Sequence, residues 1–359
     1  MMSNHLKFIN LAHDVASKNL GKTFPNPTVG CVISKNNIII SKAVTSATGR
    51  PHAEEIALKK AGKKAKGAIM YVTLEPCFHN SQNGSCADQI LRSGINKIYI
   101  SCIDQDPRTK KKSISKLKKN KIKVITGIEK DKTISVNNFY FKSLKKKKPF
   151  TKVKMAISND NKIAWSNYKS KWISNSKSRA YVHSLREKTQ AILTTSKTIL
   201  IDNPRFTVRK KNKIIKNLNV IIIDKNLNIP LNINLLKNLH ERRIIIFTSK
   251  KNNKSQKLKQ LGCEIIEMKI VNNKFDLKKI FSHIYQLKIS DLMVEAGGIL
   301  FADLIKNNLV DEILLFKASF IIGEKGVPVI EGNSLNNIKK KLLEIIKFDD
   351  NLYLKYAIK

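Results

Sequence analysis

The chain has 359 residues, 42 % of them hydrophobic, which suits two domains with real cores and argues against wholesale disorder. Lys and Arg outnumber Asp and Glu 68 to 27, a formal charge of +41. This keeps phosphate-bearing partners open without choosing among nucleic acid, nucleotide and phosphorylated metabolite, and a drift toward Lys, Asn and Ile along the whole chain accounts for most of it. No stretch reaches the roughly 18–20 apolar residues that span a bilayer. The N-terminal region lacks the apolar run of a signal peptide, and five scattered cysteines make no disulfide framework, so a cytoplasmic protein is expected.

In chain order, strands alternate with helices, the signature of α/β layers. Residues 5–19 predict an amphipathic helix with Leu6, Ile9, Ala12, Val15 and Ala16 on one face. A hairpin over 29–41 follows, then a helix over 52–61 and a strand over 68–73. A helix over 85–93 closes at Gly94, and strands over 97–102 and 122–126 complete the first half. The run 143–149, Ser-Leu-Lys-Lys-Lys-Lys-Pro, predicts a solvated linker and the domain boundary. Further strands are predicted over 150–157, 190–194, 220–224, 243–248, 291–295 and 312–318. Gly297-Gly298 sits between a strand and a helical run, where backbone N–H groups can face a phosphate, although a plain tight turn reads equally well.

The most specific signal is Pro51-His52-Ala53-Glu54, followed by Thr73-Leu74-Glu75-Pro76-Cys77 and then Cys86. One imidazole and two thiolates suit Zn²⁺ with a fourth position open, whereas a structural zinc usually has four protein ligands. Zinc lowers the pKa of a bound water to about 7, and Glu54, two residues past His52, can take that proton and pass it to a leaving amine. Singly, each cysteine reads as a small buried hydrophobe and His-x-Glu as chance. In this order they match the constellation of zinc deaminases acting on amino-pyrimidines and adenines.

Eight residues separate Cys77 from Cys86, with His79 among them, where base and nucleoside deaminases show Pro-Cys-x-x-Cys. That spacing resembles the bifunctional riboflavin-biosynthesis deaminase–reductase family. The opening 24–33, Phe-Pro-Asn-Pro-Thr-Val-Gly-Cys-Val-Ile, and the run 73–79 are similar to it too. So, in the second half, are Lys154-Met155-Ala156-Ile157-Ser158, Ser170-Lys171-Trp172-Ile173, the stretches 191–198 and 202–209, and Val294-Glu295-Ala296-Gly297-Gly298. The resemblance covers nearly the whole chain. It implies an α/β protein with a cytidine-deaminase-like α/β/α domain over 1–146 and a dihydrofolate-reductase-like α/β domain over 147–359.

By that resemblance His52, Cys77 and Cys86 bind zinc, Glu54 shuttles the proton, and Asn26 and His79 line the pyrimidine pocket. The implied first reaction is hydrolytic deamination of 2,5-diamino-6-(ribosylamino)pyrimidinone 5′-phosphate. NADPH then reduces the ribosyl chain of the product to a ribityl chain. Substrate contacts fall on Lys154, Ser170, Arg186, Phe206, Arg209 and Glu295, where guanidinium forks suit a phosphate. NADPH contacts fall on Ala156, Trp172, Thr198, Asp202 and the turn of Gly297, Gly298, Ile299, Leu300, Phe301, Ala302 and Asp303. Lys154 and Asp202 are the polar groups expected nearest the reacting carbon. The family also implies a homo-oligomer joined through the reductase domain.

The chain departs from the family in places. Thr45 stands at a usual pocket histidine, 82–85 replace Arg-Thr-Pro-Pro, and Asp106-Pro107-Arg108 replaces Asp-Pro-Asn-Pro. Arg108 and Lys110 are candidate replacement charges. Asn161 takes a usual glycine and Ser319 a usual proline. These changes motivate one alternative, a reductase with an impaired zinc module in front. A nucleic-acid enzyme is disfavoured, because aromatics are only 7 % and do not interleave with the lysines to stack bases. No membrane partner is expected.

Overall fold

Contacts divide the chain into Met1–Lys147 and Lys148–Lys359. The structure, a computed structural model, describes residues 2–79, 84–167, 173–330 and 338–358. No helix among them is long and apolar enough to cross a membrane.

The first unit is a five-stranded sheet in the order Ile38–Val44, Gly30–Lys35, Ile69–Leu74, Lys97–Cys102, Lys123–Thr126. The first three strands pair antiparallel and the last three parallel. Side chains alternate faces along a strand. Cys31 and Ile33 therefore enter one core with Ile98 and Ile100, while Val32 and Tyr99 enter the other. Helix Ala53–Ala61 covers the first face with Ala53, Ala57 and Ala61, small residues that let its backbone lie close. Helix Met2–Ser17 covers the second with Phe8, Ile9 and Ala12, giving an α/β/α sandwich.

The second unit is built on nine strands. Seven run parallel: Glu264–Glu267, Ile244–Thr248, Asn219–Ile223, Ala191–Thr195, Asp291–Val294, Phe150–Ile157 and Glu312–Lys317. Asn351–Ile358 and Lys340–Phe348 extend the sheet antiparallel. Strand Ile244–Thr248 is buried along its whole length, as a strand covered on both faces must be. Ile245 and Phe247 pack one core, Ile244 and Ile246 the other. Each such fully buried side chain contributes about 1.5–3 kcal/mol of transfer free energy.

Two features differ from the sequence expectation. The run 143–149 is not all linker: helix Asn138–Lys146 carries Ser143 into the interior and ends in Lys145 and Lys146. Cations in a last turn face the negative end of the helix dipole, so a lysine run closes this helix rather than breaking it. The closing hairpin of Lys340–Phe348 and Asn351–Ile358, absent from the predicted elements, alternates poorly because its first strand lies mostly exposed at the sheet edge. Asn161 has φ +61°, the left-handed conformation for which glycine is the usual choice and asparagine the commonest substitute. Ser319 Oγ donates to Asp350 Oδ2 at 2.8 Å.

Candidate active sites

In the first unit the turns before two helices and the end of one strand bring three donors together. His52 is extended and caps helix Ala53–Ala61. Cys86 opens helix Cys86–Arg92, whose cap Ser85 accepts from Asp88 N. Cys77 follows strand Ile69–Leu74. The donor atoms of His52, Cys77 and Cys86 all lie within 4.8 Å of one another. His52 Nδ1 is 3.4 Å from Cys86 Sγ, and Cys86 N donates to Cys77 Sγ at 3.3 Å.

Two thiols in contact share one proton. The hydrogen bond with Cys86 pulls the Cys77 thiol down to about 4, and the same contact pushes Cys86 up. Both ionise only beside a cation, so the donor set fits zinc. Glu54 is buried in the first turn of its helix beside them, and burial lifts its carboxyl while the His52 imidazole opposes. A carboxyl raised in this way holds a proton more readily than a free one, as a general acid–base group needs.

The surrounding residues divide into braces and exposed groups. Asn26 Nδ2 donates to Gly49 O at 2.9 Å, steadying the turn before Arg50 and His52. Gly49 has φ +87°, and a Cβ there would lie 2.7 Å from Asn26 Nδ2 and from Thr23 O, so only glycine fits. Thr45 is buried, with its hydroxyl bonded to the backbone of Val29, so it braces a strand end. Arg50 Nη2 lies 3.5 Å from His79 Nε2. Burial, Arg108 and Arg50, in that order, disfavour a charged His79. Residues 82 and 83 of the altered 82–85 segment lie outside the described residues.

In the second unit a cavity of about 960 Å³ opens where the parallel strands end. Ligands in open α/β sheets bind outside the carboxyl ends of the strands, and the size suits a dinucleotide with its substrate. Of the residues marked from sequence, Lys154, Ala156, Arg186, Thr198, Asp202, Phe206, Glu295, Gly297, Gly298, Ile299, Leu300 and Asp303 line it. Ser170 and Trp172 lie outside the described residues. Phe301 and Ala302 point into the core, because successive helical side chains turn by 100° and only part of helix Gly298–Lys306 faces the opening. Arg209 is exposed outside the lining, its Nε on Thr207 Oγ1 at 3.1 Å.

Arg186 and Glu295 form a two-pronged pair at 2.7 and 2.8 Å, and Arg186 also lies over the Phe206 ring. Burial alone would raise the Glu295 carboxyl, but the guanidinium holds it at about 2. Burial lowers the Lys154 ammonium, with Glu295 and Asp202 opposing and Arg186 assisting, which groups these four charges around one spot. Arg179 and His183, which sequence reasoning did not mark, also line the cavity. Neither stands in a motif, and both enter through the pitch of helix Ser176–Glu187.

The family model described as RibD C-terminal domain matches residues 149–354. The chain belongs to the RibD family. The cytidine and deoxycytidylate deaminase zinc-binding region matches residues 2–102. Among curated RibD relatives, the riboflavin biosynthesis protein of Aquifex aeolicus (strain VF5) is 36 % identical over 93 % of this chain and 94 % of its own. The solved Acinetobacter baumannii RibD (form 1) superposes with a TM-score of 0.91 at 28 % identity, covering 100 % of both chains. A Thermotoga maritima structure described as a diaminohydroxyphosphoribosylaminopyrimidine deaminase/5-amino-6-(5-phosphoribosylamino)uracil reductase gives 0.86 at 27 % identity and 99 % coverage of both. The chain is thus a bifunctional enzyme of riboflavin biosynthesis, with a zinc-binding deaminase domain and a reductase domain of the NADPH-dependent RibD type. These full-length matches favour the bifunctional reading over the reductase-only alternative.

Proposed function

We propose that the front domain deaminates 2,5-diamino-6-(5-phosphoribosylamino)pyrimidin-4(3H)-one, and that the rear domain reduces the product to 5-amino-6-(5-phosphoribitylamino)uracil. The observation carrying the first step is the three-donor cluster with a buried carboxylate two residues from one of its members. His52, Cys77 and Cys86 would hold zinc, which when bound supplies Lewis acidity to water. Glu54 removes a proton from the attacking water and returns it to the departing amine, so that water adds, the C–N bond breaks and ammonia leaves. Asn26 fixes the turn in front of His52, and His79 stands beside the ring.

In the rear domain bound NADPH supplies the hydride. Ala156, Thr198, Asp202 and the start of helix Gly298–Lys306 cradle it, where exposed backbone N–H groups suit a pyrophosphate. Arg186, neutralised by Glu295, stiffens the substrate end, and Lys154 with Asp202 faces the reacting carbon. Holding two reactants in this way removes most of the entropic barrier. Arg209 is read as a rim contact for the substrate phosphate.

Exposed Leu342, Leu343 and Ile345 on the edge strand Lys340–Phe348 support a homo-oligomer built through this domain, which sedimentation would test. Five unpaired thiols support a cytosolic setting. The deciding experiment supplies purified protein with the diaminopyrimidinone phosphate and measures ammonia without NADPH, then NADPH oxidation by the deaminated compound. Ammonia release refutes a reductase-only protein, and its absence with intact reduction refutes the front-domain reading.

A further inference from the structure

Three buried carboxylates next to the zinc-ligand loop have no part in the chemistry above. Glu75, Asp104 and Asp106 are 3, 7 and 5 % exposed. Glu75 Oε2 accepts from the backbone N–H of Asp104 (3.2 Å) and of Lys111 (3.1 Å), and its Oε1 accepts from Ser113 Oγ (2.8 Å). Asp104 Oδ1 accepts from Asp106 N (3.0 Å) and from the Tyr140 hydroxyl (2.9 Å). Phe78 N, next to Cys77, donates to Thr109 Oγ1 at 3.4 Å. Burying three carboxylates costs several kcal/mol unless each is paired or hydrogen-bonded. Here that expense holds one short loop, 103–111, against the cysteine loop.

The loop presents Arg108. Asp106 grips its Nε and Nη2, at 3.0 and 2.5 Å, while the side chain stays 68 % exposed. Free surface arginines sample many rotamers, and this one is held on its inner edge with Nη1 unpartnered among the described residues. Arg50 stands against His79, its Nη2 3.5 Å from His79 Nε2 and no carboxylate paired with it among the described residues. Asp106 is the one carboxylate paired with either guanidinium among the described residues, on loops that carry His79 and Phe78 beside Cys77.

We infer that Arg50, beside His79, and Arg108, on the loop that Thr109 ties to Phe78, are the specificity-determining residues that read the phosphate monoester of the deaminase substrate, with Glu75, Asp104 and Asp106 as positioning residues for Arg108. Planar forks with one edge free pair with two phosphate oxygens at once. The inference rests on the deaminase reading above and adds which residues distinguish a phosphorylated from an unphosphorylated substrate.

The test measures ammonia release by the zinc-loaded full chain from the phosphorylated diaminopyrimidinone and from its dephosphorylated counterpart, with inorganic phosphate as competitor. Charged hydrogen bonds lost one at a time predict that Arg50→Ala and Arg108→Ala each lower kcat/KM for the phosphorylated compound about ten-fold or more, mostly through KM. Turnover of the dephosphorylated compound should fall far less, and inhibition by phosphate should weaken. Arg108→Lys keeps the charge without the fork and should fall between. Asp106→Asn should reproduce part of the Arg108→Ala loss on the phosphorylated compound alone. Zinc content and NADPH reduction report folding. Equal losses on both compounds, or no loss on either, overturn the inference while leaving deamination standing. An unsubstituted protein that releases no ammonia from either compound overturns both.

Discussion

Glu295→Gln isolates the most strongly coupled pair in the reductase cavity. The substitution keeps shape and removes charge, stranding the Arg186 guanidinium, whose side chain is 16 % exposed against 11 % for Glu295. A carboxyl held at about 2 instead of its ordinary 4.5 corresponds to about 3 kcal/mol of folded-state stabilisation. Breaking a buried pair by removing one partner costs 3–5 kcal/mol by the general rule, so about 3 kcal/mol is the working figure. For a domain of this size, that lowers the reductase unfolding transition by roughly 6–12 °C at pH 7. The sign follows from the depressed value. The stabilisation is complete above about pH 4.5 and disappears as pH falls toward 2, where Glu295 protonates in the folded state. Calorimetry of both proteins from pH 3 to 8 should therefore show a constant gap down to about pH 5 and a narrowing gap below. An unchanged transition at pH 7, or a gap that closes between pH 6 and 8, would refute the electrostatic account of this pair.

Three further outcomes are expected. Glu54→Gln keeps zinc by metal analysis and loses ammonia release by about 10²–10⁴-fold, the usual worth of a general acid–base group, with NADPH oxidation unchanged; matched losses in both reactions would contradict two separate sites. Cys86→Ala removes one of three donors, so bound zinc falls from near one equivalent per chain toward none on dialysis, and ammonia release falls with it. Arg209→Ala weakens the deaminated substrate about ten-fold in KM and leaves NADPH binding, followed by cofactor fluorescence, untouched; the reverse pattern would move this arginine to the cofactor.

Much of the zinc site was legible in the chain because its chemistry is local. His52 and Glu54 are two residues apart at a helix start, and Cys77 stands three residues past the end of a strand. The phosphate-reading arginines were not legible as a pair. Arg50 and Arg108 are far apart in sequence, and the carboxylates of Glu75, Asp104 and Asp106, none in a charge pattern, hold the second one in place. The helix ending at Lys146 was hidden by its own lysines, which read as a linker until the dipole they face is known.

The residue string alone indicated most of the alternation of strands and helices, and pointed to three side chains that suit a metal. Those properties depend on covalent spacing and on periods of two and 3.6 residues, which act within a few positions. What tertiary structure decided was every contact across strand order. Arg186 meets Glu295 over 109 positions because helix Ser176–Glu187 leads into strand Ala191–Thr195, which lies beside Asp291–Val294 in the sheet. Local propensity carries no information about which strands lie side by side, and this ion pair forms only because sheet order brings the helix before one strand to the residue after the other.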